Sequence, residues 1–118
     1  MFELGFITAD DFPFSGGKLL NPGAELVQFL PIASGITVNK AHGTDDSIAK
    51  CRKKYPAAQV ESMEGAAFFY ACLRADLPFV EIRAISNYVE PRNREAWNIP
   101  LAIQNLNQVV KEMLQGLV

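Results

Sequence analysis

The most regular pattern in the chain lies at its C-terminal end. Ile99, Ile103, Leu106, Val110, Met113 and Leu117 step by four, three, four, three and four. That spacing puts them on one face of an α-helix and predicts a helix over about 100–117 docked on a core. Residues 64–73 (Glu-Gly-Ala-Ala-Phe-Phe-Tyr-Ala-Cys-Leu) are nearly all apolar after Glu64. A helix apolar on every side is normally buried on every side, so burial all round is expected here. Residues 79–85 (Phe-Val-Glu-Ile-Arg-Ala-Ile) give the strongest strand signal, with β-branched and aromatic residues concentrated in a short run.

The remaining elements are shorter. Gly35-Ile36-Thr37-Val38-Asn39 reads as a short buried strand, and 57–61 as a weaker one. Thr44, followed by Asp45 and Asp46, opens a helix that ends at Tyr55, before Pro56. Asn21-Pro22 is a good helix start, predicting a helix to about Leu30 that stops before Pro31. Phe12-Pro13-Phe14-Ser15-Gly16-Gly17 reads as a loop whose aromatic rings pin it to a core. Strands alternating with helices indicate parallel βαβ units, hence an α/β fold class.

Charge and composition narrow the function classes. Eleven basic residues face thirteen acidic ones, so nothing suggests a general attraction for nucleic acid. The cluster Lys50, Arg52, Lys53 and Lys54 falls in the last turn of a predicted helix, where cations suit the negative dipole end. The two cysteines, Cys51 and Cys72, lack Cys-x-x-Cys spacing, and with the single His42 they do not readily assemble a zinc site. Free thiols in a reducing cytosol are the simpler reading. No apolar run is long enough to span a bilayer, and no signal peptide is visible, so a cytoplasmic protein without membrane partners is expected.

In open α/β sheets, ligands bind outside the carboxyl ends of the strands. That rule selects Glu61-Ser62-Met63-Glu64, after the 57–61 strand, and Ser86-Asn87, just past Ile85. From topology, the side chains of these two places can converge. Glu64 is an acidic group at the start of an otherwise apolar helix. It either serves the helix dipole or accepts hydrogen bonds from a diol such as a ribose. Met63 beside it is either a core residue or a polarizable surface for a sugar ring. Glu81 and Arg83, two apart on a predicted strand, read as ion-pairing residues, His42 as a loop residue, and Gly16-Gly17 is too short for a phosphate loop.

Taken together, residues 60–97 (VESMEGAAFFYACLRADLPFVEIRAISNYVEPRNREAW) resemble the C-terminal signature of the nucleoside phosphorylase superfamily. Its marks are a Met-Glu pair before a buried Ala-rich helix, then a strand ending in Arg-Ala-Ile-Ser. The methylthioadenosine/adenosylhomocysteine nucleosidases carry Ile-Ser-Asp at that strand end, whereas this chain has Ile85-Ser86-Asn87. Asn87, Ser62-Met63-Glu64-Gly65 and Val89-Glu90-Pro91-Arg92 are similar to the futalosine hydrolase branch. Phe12-Pro13-Phe14, Gly16-Gly17 and Gly35–Asn39 share that similarity.

The resemblance implies the C-terminal portion of a nucleoside phosphorylase fold, a mixed sheet flanked by helices, spanning residues 1–118. The family's N-terminal half, with its Gly-rich first strand and water-activating glutamate, is expected to be absent, since Glu3 and Glu25 lack that context. The implied activity is hydrolysis of the N-glycosidic bond of futalosine, releasing hypoxanthine in menaquinone biosynthesis, with the isolated chain inactive. Glu64 would bind the ribose hydroxyls, Met63 would pack on the sugar and Ser62 would line the pocket. Thr37, Val38 and Asn39 would approach the purine. Asn87 would hydrogen-bond the departing base where the nucleosidases use an acid. Arg92, with Arg94 and Trp97 nearby, is a candidate for gripping the carboxylate of futalosine. No metal or organic cofactor is implied. The expected partners are a small-molecule nucleoside and further copies of the chain in a homo-oligomer. Alternatives are another purine nucleosidase or phosphorylase of the same fold, or a non-catalytic nucleoside-binding or assembly domain.

Overall fold

A computed structural model describes residues 2–27 and 29–116. The named elements, in chain order, are strand β1 (Gly35–Thr37), helix α1 (Asp45–Lys54), strand β2 (Val60–Ser62), helix α2 (Gly65–Arg74) and helix α3 (Ile99–Gly116). Strands and helices alternate, and the fold is α/β. The chain divides into two compact units. One comprises Met1–Ala41 and Ala57–Glu81, the other His42–Pro56 and Ile82–Val118.

In the first unit β1 and β2 pair in parallel, with Gly35 opposite Val60, Ile36 opposite Glu61 and Thr37 opposite Ser62. Among the described residues the sheet is these two strands, smaller than the mixed sheet expected. Helix α2 packs on β1. Phe79 sets its ring edge-on against Phe68 and Phe69 of α2, with centroids 5.5 and 4.8 Å away. The N-terminal loop is pinned as its aromatic residues foretold. The Phe14 ring lies 5.9 Å from Tyr70, and the Arg74 guanidinium 5.8 Å from Phe12.

Several expectations need correction. β1, expected as a buried strand over 35–39, covers three residues with Gly35 and Thr37 exposed, and the strand expected over 57–61 lies at Val60–Ser62. Residues 79–85 do not form a strand, and 77–86 carry no regular structure. A strand needs a ladder partner as well as β-branched residues. Around Phe79 the neighbours are the rings of α2 and the turn at Gly23, where a Cβ would stand 2.7 Å from the Phe79 carbonyl oxygen. Neither neighbour presents a strand edge. The helix expected from Asn21 to about Leu30 is instead a 3-10 helix over Pro22–Leu26. Asn21 caps it as expected, its side chain accepting from the Gly23 N–H at 2.8 Å. Successive bonds then span three residues (Ala24 to Asn21, Val27 to Ala24, Leu30 to Val27), which keeps the segment tight and short.

In the second unit α1 follows its local signals. Thr44 and Ser47 form a reciprocal capping box, Tyr55 closes the helix, and Arg52, Lys53 and Lys54 occupy its last turn. The Asp46–Lys50 pair at 2.7 Å is exposed and contributes little stability. Helix α3 begins where Asn98 donates its N–H to the Ser86 carbonyl at 2.8 Å. The face least open to solvent carries Ala102, Leu106, Val109 and Met113, while Ile99, Ile103 and Val110 of the expected stripe are exposed. Leu117 lies outside the described residues.

Among the described residues, Val27, Ile48 and Ala102 are the buried hydrophobic side chains, and Pro13 is buried in the N-terminal loop. Helix α2 departs from the expected burial on all sides. Its buried residue is Gly65, whereas Phe68 and Tyr70 are 43% and 41% exposed. An apolar helix needs cover on every side, and the described residues provide it on only part of α2. No helix among the described residues is long and apolar enough to cross a membrane.

Candidate functional site

The parallel register brings the carboxyl ends of β1 and β2 side by side at Thr37 and Ser62. Beyond the strand end, the Val38 N–H continues the pairing by donating to the Ser62 carbonyl at 2.8 Å. Three residues after Ser62 the chain enters α2, so the strand ends and the N-terminus of that helix share one corner of the unit.

The first N–H groups of a helix have no partner within it. Here two hydroxyls supply them. The Gly65 N–H donates to Ser62 Oγ at 3.3 Å and the Ala66 N–H to Thr37 Oγ1 at 2.8 Å. Glu64 occupies the N-cap position, yet its side chain makes no capping bond. The capping half of the question raised by Glu64 is thereby answered: the work is done by Thr37 and Ser62. Glu64 is exposed, with the positive end of the α2 dipole behind it. Met63 beside it is 54% exposed and is not a core methionine within this unit. Val38 is half-buried, and Asn39 is exposed at the end of the same corner.

Within the first unit, then, Ser62, Met63 and Glu64, which the strand-end rule selected, lie at one corner with Thr37 and Val38, which the resemblance added. Asn87 and Arg92 belong to the second unit. The half-buried Asn87 amide is held locally. Its Oδ1 accepts from Ser86 Oγ at 2.7 Å, and its Nδ2 donates to the Tyr88 carbonyl at 3.0 Å. Such an amide offers hydrogen bonds but no transferable proton. Arg92 is exposed, and its backbone N–H is tied to the Gly43 carbonyl at 3.1 Å. The Arg94 guanidinium lies 5.9 Å from the Trp97 ring.

Two features escaped the sequence reading: Gly65 is buried at the start of α2, and the Glu81 carboxylate stands against it. Ser86, selected together with Asn87 at the strand end, donates its hydroxyl to the Asn87 side chain. Only Gly65 left a local signal, since a glycine inside an apolar helical pattern marks a close approach.

The chain matches the Phosphorylase superfamily over residues 31–115. The futalosine hydrolase of Acidothermus cellulolyticus is 43% identical over 77 residues, which cover 64% of this chain and 32% of that protein. The futalosine hydrolase of Streptomyces coelicolor is 34% identical over 113 residues, covering 94% of this chain and 46% of its own length. A 5'-methylthioadenosine/S-adenosylhomocysteine nucleosidase of Colwellia psychrerythraea is 36% identical over 73 residues, 59% of this chain and 30% of the relative. The chain thus spans less than half the length of these curated relatives. No solved structure matches it. With both strands, the Ser62–Glu64 turn and Asn87 all inside the matched residues, the chain belongs to the phosphorylase superfamily.

Proposed function

We propose that the protein is a cytoplasmic purine nucleosidase that hydrolyses the N-glycosidic bond of futalosine and releases hypoxanthine. In this reading the 118 residues are the C-terminal part of its nucleoside phosphorylase-type domain. The observation that carries it is the division of labour at the α2 N-terminus. Thr37 and Ser62 cap the helix, and the exposed Glu64, which makes no capping bond, stands beside Met63 at the same strand-end corner. The futalosine hydrolase relatives supply the substrate class.

The chemistry follows from the residue types. Cleaving the glycosidic bond builds positive charge on the sugar, in an oxocarbenium-like transition state. Glu64 accepts hydrogen bonds from the two ribose hydroxyls and sets a negative charge beside that sugar. Met63 packs on the ring, and Ser62 lines the pocket. Thr37, Val38 and Asn39 approach the purine. Asn87 donates a hydrogen bond to the departing base, which suits hypoxanthine with its carbonyl oxygen and ring nitrogens. Product analysis in phosphate-free buffer tests the reading. Free sugar and hypoxanthine are expected, whereas a reaction that requires phosphate and yields a sugar phosphate would mark a phosphorylase instead.

Futalosine carries a carboxylated aryl ketone on the 5′ side of its ribose, and its recognition calls for a cation. Arg94 is already stacked over Trp97, so Arg92 is the better candidate. In the complete protein, Arg92→Ala is expected to lower kcat/KM on futalosine about tenfold or more while affecting inosine much less. Equal losses on both substrates, or none, remove Arg92 from this role.

The exposed apolar residues of α2 and α3 call for a cover, and we expect further copies of the chain to contribute it. Large exposed apolar patches mark interfaces or aggregation sites. Sedimentation of the purified chain at rising concentration should show self-association. A monodisperse monomer at high concentration contradicts it.

A further inference from the structure

We infer that Glu81 is a positioning residue for Glu64, acting through the first turn of α2. The inference deepens the nucleosidase reading and rests on it for the role of Glu64. Its structural half, that Glu81 holds this turn, stands on the contacts alone.

Gly65 is the buried residue of α2 and directly follows Glu64. A Cβ at position 65 would lie 3.0 Å from Ser62 Oγ and 3.3 Å from each of the two Glu81 carboxylate oxygens. Real Cβ atoms seldom come this close to neighbours. The Glu81 carboxylate therefore fills the room a side chain at 65 would need. Three oxygens, one from Ser62 and two from Glu81, close on a single backbone position.

Charge favours the arrangement. The carboxylate sits at the helix N-terminus, where the dipole presents its positive end. Its approach is also fixed from behind. Phe79, two residues earlier, is wedged edge-on against Phe68 and Phe69 of the same helix. Glu81 is far from Gly65 in sequence, so this contact ties a separate segment to the turn that carries Met63 and Glu64. Glu64 is joined to Gly65 by one peptide bond, and moving that turn moves the carboxylate that holds the sugar. Glu81 does not touch the substrate in this account.

Glu81→Gln and Gly65→Ala separate positioning from simple stability. The glutamine keeps the shape of Glu81 and removes its charge. The alanine favours helix formation and displaces the carboxylate. In the complete protein both variants should lower kcat/KM on a ribonucleoside about tenfold or more, with a smaller loss on its 2′-deoxy analogue. Tm should shift by less than about 4 °C. In 15N–1H spectra of the purified protein, Glu81→Gln should move the Gly65 and Ala66 amide signals more than those elsewhere. Unmoved Gly65 and Ala66 signals overturn the inference. So does unchanged kcat/KM in an enzyme with measurable activity, or equal losses on the two substrates. If wild-type protein cleaves no nucleoside, the nucleosidase reading fails, and the amide signals alone decide whether Glu81 holds the turn.

Discussion

Purified by themselves, the 118 residues are expected to release hypoxanthine from futalosine at least about a hundredfold more slowly than a complete futalosine hydrolase, because a positioned acid or base supplies roughly 10²–10⁴-fold. Hydrolysis needs water made nucleophilic as the glycosidic bond breaks. In the proposed reading, the glutamate that activates it is expected in a part of the superfamily fold outside these residues. The matched relatives are more than twice as long as the stretch this chain covers. What the chain does carry is the corner at Thr37, Ser62 and Glu64 proposed to hold the sugar, so weak nucleoside binding without turnover is the expected behaviour. Measuring hypoxanthine release by the purified chain checks this. A rate close to that of a full-length relative shows that every group needed for water activation lies within these residues.

In the complete protein, Glu64→Gln is expected to lower kcat/KM at least about tenfold, since hydrogen bonds to a charged group contribute roughly 1.5–3 kcal/mol each. The amide keeps the size of the carboxylate but removes the negative charge facing the developing oxocarbenium ion. The capping bonds from Thr37 and Ser62 to the α2 N-terminus do not involve the Glu64 side chain and remain in this variant. Thermal melts alongside the kinetics separate a loss of activity from a loss of stability. A variant with full activity would return Glu64 to the role of a helix-dipole residue.

How legible these features were in the sequence depended on how local their causes are. Helix α1 was readable almost to the residue, since Thr44, Asp45, Asp46 and Pro56 all lie in or beside it. The start of α2 was equally plain. Its burial was not, because the cover for Phe68 and Tyr70 has to come from elsewhere. Residues 79–85 have the composition of a strand but form none, and Phe79 at their start finds α2 rings and Gly23 as neighbours, which no propensity reveals. On α3 the apolar spacing gave the helix correctly, while the face turned from solvent runs through Ala102 and Val109. At the candidate site, the strand-end rule selected Ser62–Glu64, and the resemblance added Thr37. The capping bond from Thr37 to α2 and the Glu81–Gly65 contact join residues distant in sequence, and only the folded chain brings them together.

In the proposed mechanism Glu64 holds the ribose hydroxyls. The most direct test is a two-by-two comparison of wild type and Glu64→Gln on a purine ribonucleoside and its 2′-deoxy analogue, in the complete protein. Wild type should prefer the ribonucleoside, and the glutamine variant should lose most of that preference. An equal preference in both proteins would show that the carboxylate does not hold the hydroxyl, and the site would have to be rebuilt around other residues.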